Sequence, residues 1–199
     1  METRKFRVVL ADCPWDFDDK LTMSKVRRGA ASQYATMGLS DLGLLREQLS
    51  PVLEDDALLA LWFVSCQAFD GLTLMASWGF EQKQIWTWEK TKKDGTGQAF
   101  GMGRIARGCT EHLYVGTRGS ITRHVKNKSQ RTSFQHPKLP HSRKPDNVHR
   151  MLDAMFPGEA KLELFARRPW PVEGWTCLGN QCEGDGRDIR ESLQELAPA

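Results

Sequence analysis

Two continuous apolar runs stand out against an otherwise mixed chain. Residues 6–11 and 57–64 contain one polar side chain between them, Arg7, which is typical of strands buried on both faces of a parallel sheet. Residues 84–89 instead alternate between apolar and polar positions, the period of a half-buried strand. The other predicted strands lie at 111–116, 161–167 and 174–180.

Amphipathic stretches lie between these runs. Ser40 is predicted to cap a helix over 41–48, a second helix covers 67–77, and a third begins at Pro145, because proline favours the first helical position. Strands that alternate with helices indicate an α/β fold, with a mostly parallel sheet and helices on both faces. Ligands of such sheets bind at the carboxyl ends of the strands. Polar residues at the predicted ends are Asp12, Arg167 and Asn180.

Length and composition are those of a one-domain globular protein, with 199 residues, 40% hydrophobic and 27% charged. No apolar run approaches the roughly 20 residues of a membrane span, and no signal-peptide pattern opens the chain. We therefore expect a cytoplasmic protein without a membrane partner. The five cysteines form no C-x-x-C pair, which argues against zinc and favours free thiols, so no metal is expected.

Positive charge is concentrated in one part of the chain. The net charge is only +3, yet residues 117–150 hold nine Lys or Arg and a single acidic residue. This segment suits a polyanion, and Arg123, Lys126 and Lys128 are candidate substrate contacts. A solvated, mobile loop explains the charge run equally well. Residues 91–108 contain five glycines and precede no helix pattern, so a flexible loop is predicted there, as a second candidate for substrate contact.

One short motif suggests chemistry. Residues 12–15 (Asp-Cys-Pro-Trp) follow the first strand with a carboxylate, a proline-stiffened turn and a large aromatic ring. The exocyclic amine of a nucleobase is a poor nucleophile because its lone pair is delocalised into the ring. The Asp12 carboxylate and the carbonyl of Cys13 or Pro14 can accept its two hydrogens, and Trp15 can stack on a base that has left its helix. An aspartate turn beside a buried tryptophan is the alternative.

This motif resembles the DPPW motif of the MT-A family of adenine methyltransferases, and further similarities follow in the family's order over roughly residues 6 to 182. The family's Y-x-T-M, W-x-K and E-H motifs have counterparts at 34–37, 88–90 and 111–112. Its H-S-x-K-P-[DE], E-L-F-[AG]-R, G-W and G-N-[EQ] motifs have counterparts at 141–146, 163–167, 174–175 and 179–181. Many motifs in one order are far more specific than any one of them.

The resemblance implies a Rossmann-like methyltransferase fold that uses S-adenosylmethionine, with a permuted order in which the catalytic motif precedes the main cofactor-binding motif. It implies that Asp12 and the carbonyl of Cys13 or Pro14 hold the target amine. It also implies that Trp15 flanks the base and that Tyr34 belongs to the substrate site. The cofactor-binding residues that it implies are Asp12, Lys144, Glu163, Phe165, Arg167, Asn180 and Gln181.

Two departures from the family pattern affect these expectations. Cys13 replaces the first proline of the motif, but the backbone carbonyl remains, so activity is expected to survive. Arg168 and the two residues after it differ from the family, which often has a polar residue there in contact with the cofactor. The expectation for the methionine end of the cofactor therefore rests on fewer matching residues.

The expected function is methylation of the 6-amino group of adenine in DNA, with the base flipped into the site. RNA as the polymer and a non-catalytic nucleic-acid-binding subunit are the alternatives. DNA is favoured because the chain resembles the short, stand-alone members typical of bacteria and phages, and a homodimer is plausible. We predict one methyltransferase domain over 1–182, with mobile substrate-contacting loops at 91–108 and 117–143. Residues 183–199 are predicted to form a polar tail or a fraying helix.

Overall fold

The computed structural model describes residues 5–16, 36–101, 105–140 and 143–197. Its strands are β1 (Phe6–Ala11), β2 (Leu53–Phe63), β3 (Glu81–Thr91), β4 (Thr110–Arg118), β5 (Ser133–Pro137), β6 (Lys161–Leu164) and β7 (Trp175–Leu178). Together they form one sheet in the order β5-β3-β4-β2-β1-β6-β7. β1 pairs in parallel with β2 and β6, and the pairs β6–β7 and β3–β5 are also parallel. Only β4 runs antiparallel to its neighbours, so the predicted mostly parallel sheet is confirmed.

Helices cover both faces of the sheet, as predicted. They are α1 (Leu39–Leu44), α2 (Arg46–Leu49), α3 (Ala68–Ser77), α4 (Asn147–Met155) and α5 (Ile189–Leu196). One core cluster packs the sheet against α1, α3 and α5, and the other packs it against α4. β1 and β2 contribute to both clusters because successive side chains of a strand point to opposite faces. The two apolar runs therefore form the buried centre of the sheet.

Three element boundaries differ from the sequence prediction. Ser40 lies inside α1 and does not cap it, because the chain enters the helix at Gly38. β2 begins at Leu53, earlier than predicted, because its acidic first residues pair with arginines at the end of the sheet. Pro145 precedes Asp146, the N-cap of α4, and is not the first helical residue.

The basic segment 117–143 is not a loop throughout. It contains β5, which pairs in parallel with β3 from Thr87 to Thr91. Phe134 of this strand packs against the cluster beneath α4. The sequence does not predict β5, because the strand is short, largely polar and ends in a proline, a composition that β-edges tolerate.

Residues 183–199, predicted to form a polar tail or a fraying helix, contain a helix in their described part, and this helix packs against the core. Ile189 and Leu193 of α5 are buried in the first core cluster, because residues four apart lie on one helical face. The side chain of Asp188 caps the helix by accepting a hydrogen bond from the backbone N–H of Arg190 at 2.9 Å. Packing and capping together hold α5 against the domain.

Within the described ranges, no helix is long and apolar enough to cross a membrane. The same residues contain no group of three or more His, Cys, Asp or Glu side chains placed to hold a metal ion. All five cysteines belong to the described part of the chain, and each is a free thiol.

Candidate active site

The two ends of the sheet have different roles. We call the end formed by the last residues of β1, β2 and β6 (Ala11, Phe63 and Leu164) the site edge, and the end where these strands begin the far edge. Asp12 directly follows β1 and therefore lies at the site edge. Its backbone N–H donates a hydrogen bond to the carbonyl of Leu164 at 3.5 Å, which joins the ends of β1 and β6.

A row of alternating charges crosses the site edge. Lys144 Nζ lies 2.9 Å from Oδ1 and 3.0 Å from Oδ2 of Asp12, and 3.5 Å from Oε2 of Glu111. Lys90 Nζ lies 2.6 Å from the other oxygen of Glu111. The side chain of Asp12 keeps 27% of its surface exposed, so its carboxylate is open to a ligand while Lys144 holds it.

Within this row, the pKa values of Asp12, Glu111 and Lys144 are shifted, each for a different reason. Burial raises the pKa of Asp12, and the nearby Lys144 cation offsets only part of that effect. Burial also acts to raise the pKa of Glu111, but Lys144 and Lys90 outweigh it, so this pKa is lowered. Burial opposes the charge on Lys144, yet the carboxylates of Asp12 and Glu111 outweigh burial and raise its pKa. Lys144 therefore stays protonated, and the ionisation of Asp12 depends on it.

The turn after Asp12 is fixed by its backbone. The carbonyl of Cys13 accepts the N–H of Trp15 at 2.9 Å, and the carbonyl of Pro14 accepts the N–H of Met37 at 2.8 Å. A carbonyl oxygen has two lone pairs, so each can accept one further hydrogen bond. The Cys13 side chain is buried in the core, and burial raises the pKa of its thiol, so it stays protonated.

The tryptophan of the motif has a structural position. Trp15 is 5% exposed within the first core cluster, and its Nε1–H donates to the carbonyl of Trp62 at 3.2 Å. A base cannot stack on a ring that is buried in this way, so the structure does not support the stacking role predicted for Trp15. The alternative, an aspartate turn beside a buried tryptophan, describes this residue correctly. Its ring ties the end of β1 to the end of β2.

Two clefts open at the site edge, and Asp12, Phe165 and Arg167 line both. The first cleft also contains Trp62, Lys144, His149, Glu163, Arg168 and Trp170. The second also contains Cys13, Pro14, Asn180, Gln181, Asp188 and Ile189. The structure thus brings together all seven residues predicted to bind the cofactor.

Two residues that line the clefts or lie beside them have unusual backbone geometry. Phe165 has a φ of 61°, a left-handed conformation that costs a bulky residue roughly 1–2 kcal/mol and marks a constrained position. The conformation ends β6 at Leu164, before the predicted end of the strand. Gly179 approaches so closely that a Cβ there would overlap the carbonyl oxygen of Ala166. Only glycine therefore fits between the two strands of the second cleft.

The C-terminal segment anchors that glycine. The backbone N–H of Gly179 donates to Oδ2 of Asp185 at 2.7 Å, and Ser192 of α5 donates to both oxygens of the same carboxylate. Asp185 thereby sets the turn that carries Asn180 and Gln181. The segment predicted to be a tail thus supports the second cleft, and Asp188 and Ile189 line it directly.

The basic residues predicted to contact substrate lie elsewhere. Arg123 pairs with Asp56, near the start of β2, and is therefore at the far edge. The backbone N–H of Lys126 donates to the carbonyl of Met155, at the end of α4 that points away from the clefts. The exposed Lys128 also lines neither cleft. β2 needs seven residues to run from Asp56 to Phe63, roughly 23 Å, so Arg123 and Lys126 lie far from Asp12, and their contact with substrate stays a prediction.

Other predicted and unpredicted residues complete the picture. Tyr34 lies outside the described residues. Four further residues line the clefts but were not predicted from the sequence as site residues: Arg143, His149, Arg168 and Asp188. The position of His149, one residue after Val148 in the apolar pattern of α4, indicates a half-buried flank, but nothing in the sequence indicates its partner. Trp78, Trp86 and Trp88 are buried.

The parallel sheet with a polar motif at the end of β1 and paired clefts beside it is the arrangement of a Rossmann-like methyltransferase. A family model described as MT-A70 matches residues 6–181. The Type II methyltransferase M.MunI of a Mycoplasma species is 30% identical over 191 residues, covering 88% of this chain and 77% of that protein. The chain belongs to the MT-A70 family of methyltransferases.

Eukaryotic relatives are similar to this chain over a smaller part of their length. An N(6)-adenosine-methyltransferase MT-A70-like protein of Arabidopsis thaliana is 31% identical over 195 residues, covering 95% of this chain and 25% of that protein. The human N(6)-adenosine-methyltransferase catalytic subunit METTL3 is 30% identical over 199 residues, covering 90% of this chain and 29% of that protein. These findings confirm the family resemblance and the Rossmann-like fold predicted from the motifs.

The chemistry of the two clefts fits S-adenosylmethionine, the methyl donor of this family. The amides of Asn180 and Gln181 suit ribose hydroxyls, and Phe165 offers an apolar surface to an adenine ring. Lys144 and Arg167 suit a carboxylate, and Glu163 suits a hydroxyl or an ammonium group. Nδ1 of His149 in the first cleft is buried without a described hydrogen-bond partner, as in a site that a polar ligand completes.

Proposed function

We propose that this chain transfers a methyl group from S-adenosylmethionine to the 6-amino group of an adenine in DNA. The observation that carries the proposal is the position of Asp12. Its carboxylate lies at the end of a central parallel strand, open to both clefts and held by a buried lysine. Membership of the MT-A70 family supports methyl transfer as the reaction class.

In this proposal Asp12 acts as a hydrogen-bond acceptor for the target amine. One amine hydrogen is directed to Asp12 and the other to the remaining lone pair of the Cys13 or Pro14 carbonyl. Positive charge develops on the amine nitrogen during transfer, and an ionised carboxylate stabilises that charge. Burial raises the pKa of Asp12 and so favours its neutral form. The Lys144 cation counteracts this effect and favours the ionised carboxylate.

The cofactor supplies an activated methyl group on its sulfonium sulfur. The chain's own task is therefore to bind and orient two ligands at the same edge. We assign Asn180, Gln181 and Phe165 to the nucleoside part of the cofactor, and Lys144 and Arg167 to its charged end. Asp12 lines both clefts and so stands between the cofactor and the base.

The nucleic acid is proposed to approach over the loops of the site edge. The glycine-rich loop joins β3 to β4 at this edge, and residues after β5 pass the same edge, where the N–H of Lys138 donates to the carbonyl of Thr91 at 2.9 Å. Lys92, Lys93 and Lys138 are exposed there and are preferred to Arg123 and Lys126 as candidate phosphate contacts. We propose that the target base flips out of its stack to reach Asp12, because the reacting amine of a paired base is not accessible within the duplex.

DNA is favoured over RNA by the extent of the similarities. The alignment with the Type II methyltransferase M.MunI covers most of that protein, whereas the alignments with the adenosine methyltransferases cover only about a quarter of their length. The similarity therefore extends over 77% of M.MunI but over only one part of each adenosine methyltransferase. RNA as the polymer is an outcome that the experiment below distinguishes.

The test is methyl transfer from isotopically labelled S-adenosylmethionine to unmethylated plasmid DNA and to RNA, with mass spectrometry of the digested nucleosides. We expect 6-methyladenine in DNA. Asp12→Ala should lower the rate by roughly a hundredfold to a thousandfold, because one preorganised electrostatic contact at a reacting group contributes about that much. Asp41→Ala, which changes an exposed aspartate of α1, is the matched control and should retain full activity.

Each other result has a defined meaning. Product in RNA alone would transfer the proposal to that polymer. No product from a chain that binds the cofactor would favour a non-catalytic nucleic-acid-binding subunit. Full activity of Asp12→Ala would overturn the assignment of the site.

A further inference from the structure

A group of side chains behind Glu163 has no part in the chemistry described so far. His149 of α4 is only 8% exposed, and its Nε2 lies 2.8 Å from Oε2 of Glu163. The imidazole ring stacks on Trp170, with centroids 4.5 Å apart, and lies 5.0 Å from the ring of Trp175. The histidine therefore sits between two indoles and the wall of the first cleft.

The two indoles are themselves fixed. Nε1–H of Trp175 donates to Oδ1 of Asp153 at 2.7 Å, and Nε1–H of Trp170 donates to Oδ2 at 3.0 Å. Lys161 Nζ lies 3.3 Å from the same Asp153 carboxylate. A frame with both indole N–H groups satisfied allows the ring of His149 little freedom, so the direction of its Nε2 is defined.

The same oxygen of Glu163 receives a second donor. The thiol of Cys177 lies 3.6 Å from Oε2, and burial together with the Glu163 charge raises the pKa of Cys177 to about 12, so this thiol keeps its proton. The described residues provide no hydrogen-bond donor to Oε1 of Glu163, whose side chain is 16% exposed in the first cleft. His149 and Cys177 thus both bind Oε2 of Glu163, and Oε1 remains available to accept a hydrogen bond from a ligand.

The tautomer of His149 follows from its partner. A carboxylate oxygen accepts hydrogen bonds, so Nε2 carries the proton. Nδ1 is buried and has no hydrogen-bond partner among the described residues. The contact with Glu163 therefore fixes a proton on Nε2.

We propose that His149 is a positioning residue for cofactor binding. Its Nε2–H holds Oε2 of Glu163, so that Oε1 faces the first cleft and accepts a hydrogen bond from S-adenosylmethionine. The donor is a ribose hydroxyl or the α-ammonium group, because these are the groups of the cofactor that a carboxylate binds well. This inference rests on the proposed function, since it assumes the same cofactor.

The experiment measures binding of S-adenosylhomocysteine to the full chain by calorimetry. His149→Phe keeps an aromatic ring between the indoles but removes the N–H, and we expect Kd to rise about tenfold or more, as for loss of a hydrogen bond to a charged group. The rate at saturating cofactor should stay within about twofold of the wild type, because Glu163 does not touch the reacting atoms. His136→Phe, on the edge strand β5 and separated from β6 by four strands, is the matched control and should leave Kd unchanged.

Further measurements separate this role from a purely structural one. Nitrogen-15 NMR of the wild type should detect a proton on Nε2 of His149. Because this measurement uses the wild type, it does not depend on whether the His149→Phe variant folds. 5′-Methylthioadenosine has the ribose hydroxyls but no amino-acid group. A penalty that persists with this ligand identifies the hydroxyls as the donors, and a penalty confined to S-adenosylhomocysteine identifies the ammonium group.

Two results would overturn the inference alone: an unchanged Kd in a folded His149→Phe variant, or an Nδ1–H tautomer in the wild type. A wild-type chain that binds neither ligand would instead overturn the proposed function, and the inference with it.

Discussion

The site edge and the far edge of the sheet both carry clusters of opposite charge, but the clusters differ in how their carboxylates are satisfied. At the far edge, Asp56 accepts the backbone N–H of Ser120 at 2.6 Å and also pairs with Arg123 and His124. The backbone hydrogen bond and these side chains lower the pKa of Asp56, although burial opposes them. At the site edge, burial raises the pKa of Asp12, and the lysine that holds it only partly compensates.

This difference distinguishes a cluster that is satisfied within the fold from one that can still bind a ligand. Asp56 already receives its hydrogen bonds from the protein, so its charge stabilises the fold and offers little to a ligand. Asp12 is held by the largely buried Lys144 at the mouth of two clefts, so the remaining lone pairs of its carboxylate are available for a ligand. A count of charges along the sequence cannot separate the two, because it records cations and not their partners.

The largest effect that tests this comparison is expected for Lys144→Met. Asp12 must be ionised to accept the amine hydrogen, and loss of the lysine removes the charge that opposes burial. The pKa of Asp12 then rises further, so the acid limb of the pH–rate profile moves to higher pH. We expect methyl transfer at pH 7 to fall by roughly a hundredfold, with a larger deficit at lower pH.

The control for this profile is Arg123→Met, which removes the matching cation at the far edge. It should leave the pH dependence of methyl transfer unchanged. An identical acid limb in Lys144→Met and the wild type would contradict the electrostatic role assigned to Lys144.

A second, smaller effect concerns the nucleic acid. Alanine at Lys92 and Lys138 removes two cations at the site edge, and alanine at Arg123 and Lys126 removes two at the far edge. We expect the first double variant to bind an oligonucleotide about tenfold more weakly. It should also reduce the slope of log K against log salt by about 1.8, since each phosphate contact contributes roughly 0.9.

The far-edge double variant is the matched control, because it loses the same charge. Its affinity and salt slope should equal those of the wild type. If only the far-edge variant weakens binding, the nucleic acid follows the other end of the sheet, and the substrate surface proposed at the site edge is wrong.

The smallest effect on activity is expected for Asp56→Asn. This substitution should instead lower the thermal stability of the fold. Because the pKa of Asp56 is lower in the folded than in the unfolded chain, ionisation stabilises the fold above the unfolded value of about 3.9. That stabilisation disappears as pH falls through the lower folded value. Thermal unfolding should therefore give a lower Tm for the variant at pH 7 and a narrowing difference in acid, while methyl transfer by the folded variant stays within about twofold.

Periodicity and motif order predicted the fold and much of the site. The apolar runs at 6–11 and 57–64 mark the central strands, because a strand buried on both faces has no polar positions. The predicted strand ends also indicated that Asp12, Arg167 and Asn180 lie close together, and all three line the second cleft. The parallel strands bring these ends to one edge, and the motif order identified the family independently.

Other features could not be predicted from periodicity or motif order. β5 is a short polar strand whose pairing with β3 is a long-range contact, and local composition hides it. α5 resembles a polar tail in sequence, yet its two buried side chains and Asp185 hold the Gly179 turn. Trp15 belongs to the catalytic-motif resemblance but is buried, since the orientation of a side chain depends on the neighbours that surround it.

The sequence by itself determined the fold class and the family and selected Asp12 as the proposed acceptor, because periodicity and motif order are properties of local segments. Only the tertiary structure decided which charges face the ligand. Arg123 and Lys138 belong to one basic segment of the sequence, yet they lie at opposite edges of the sheet, because β5 carries the chain from one edge toward the other. Partners such as His149 and Glu163 meet only when α4 packs on β6, and long-range contacts of that kind leave no periodic signal.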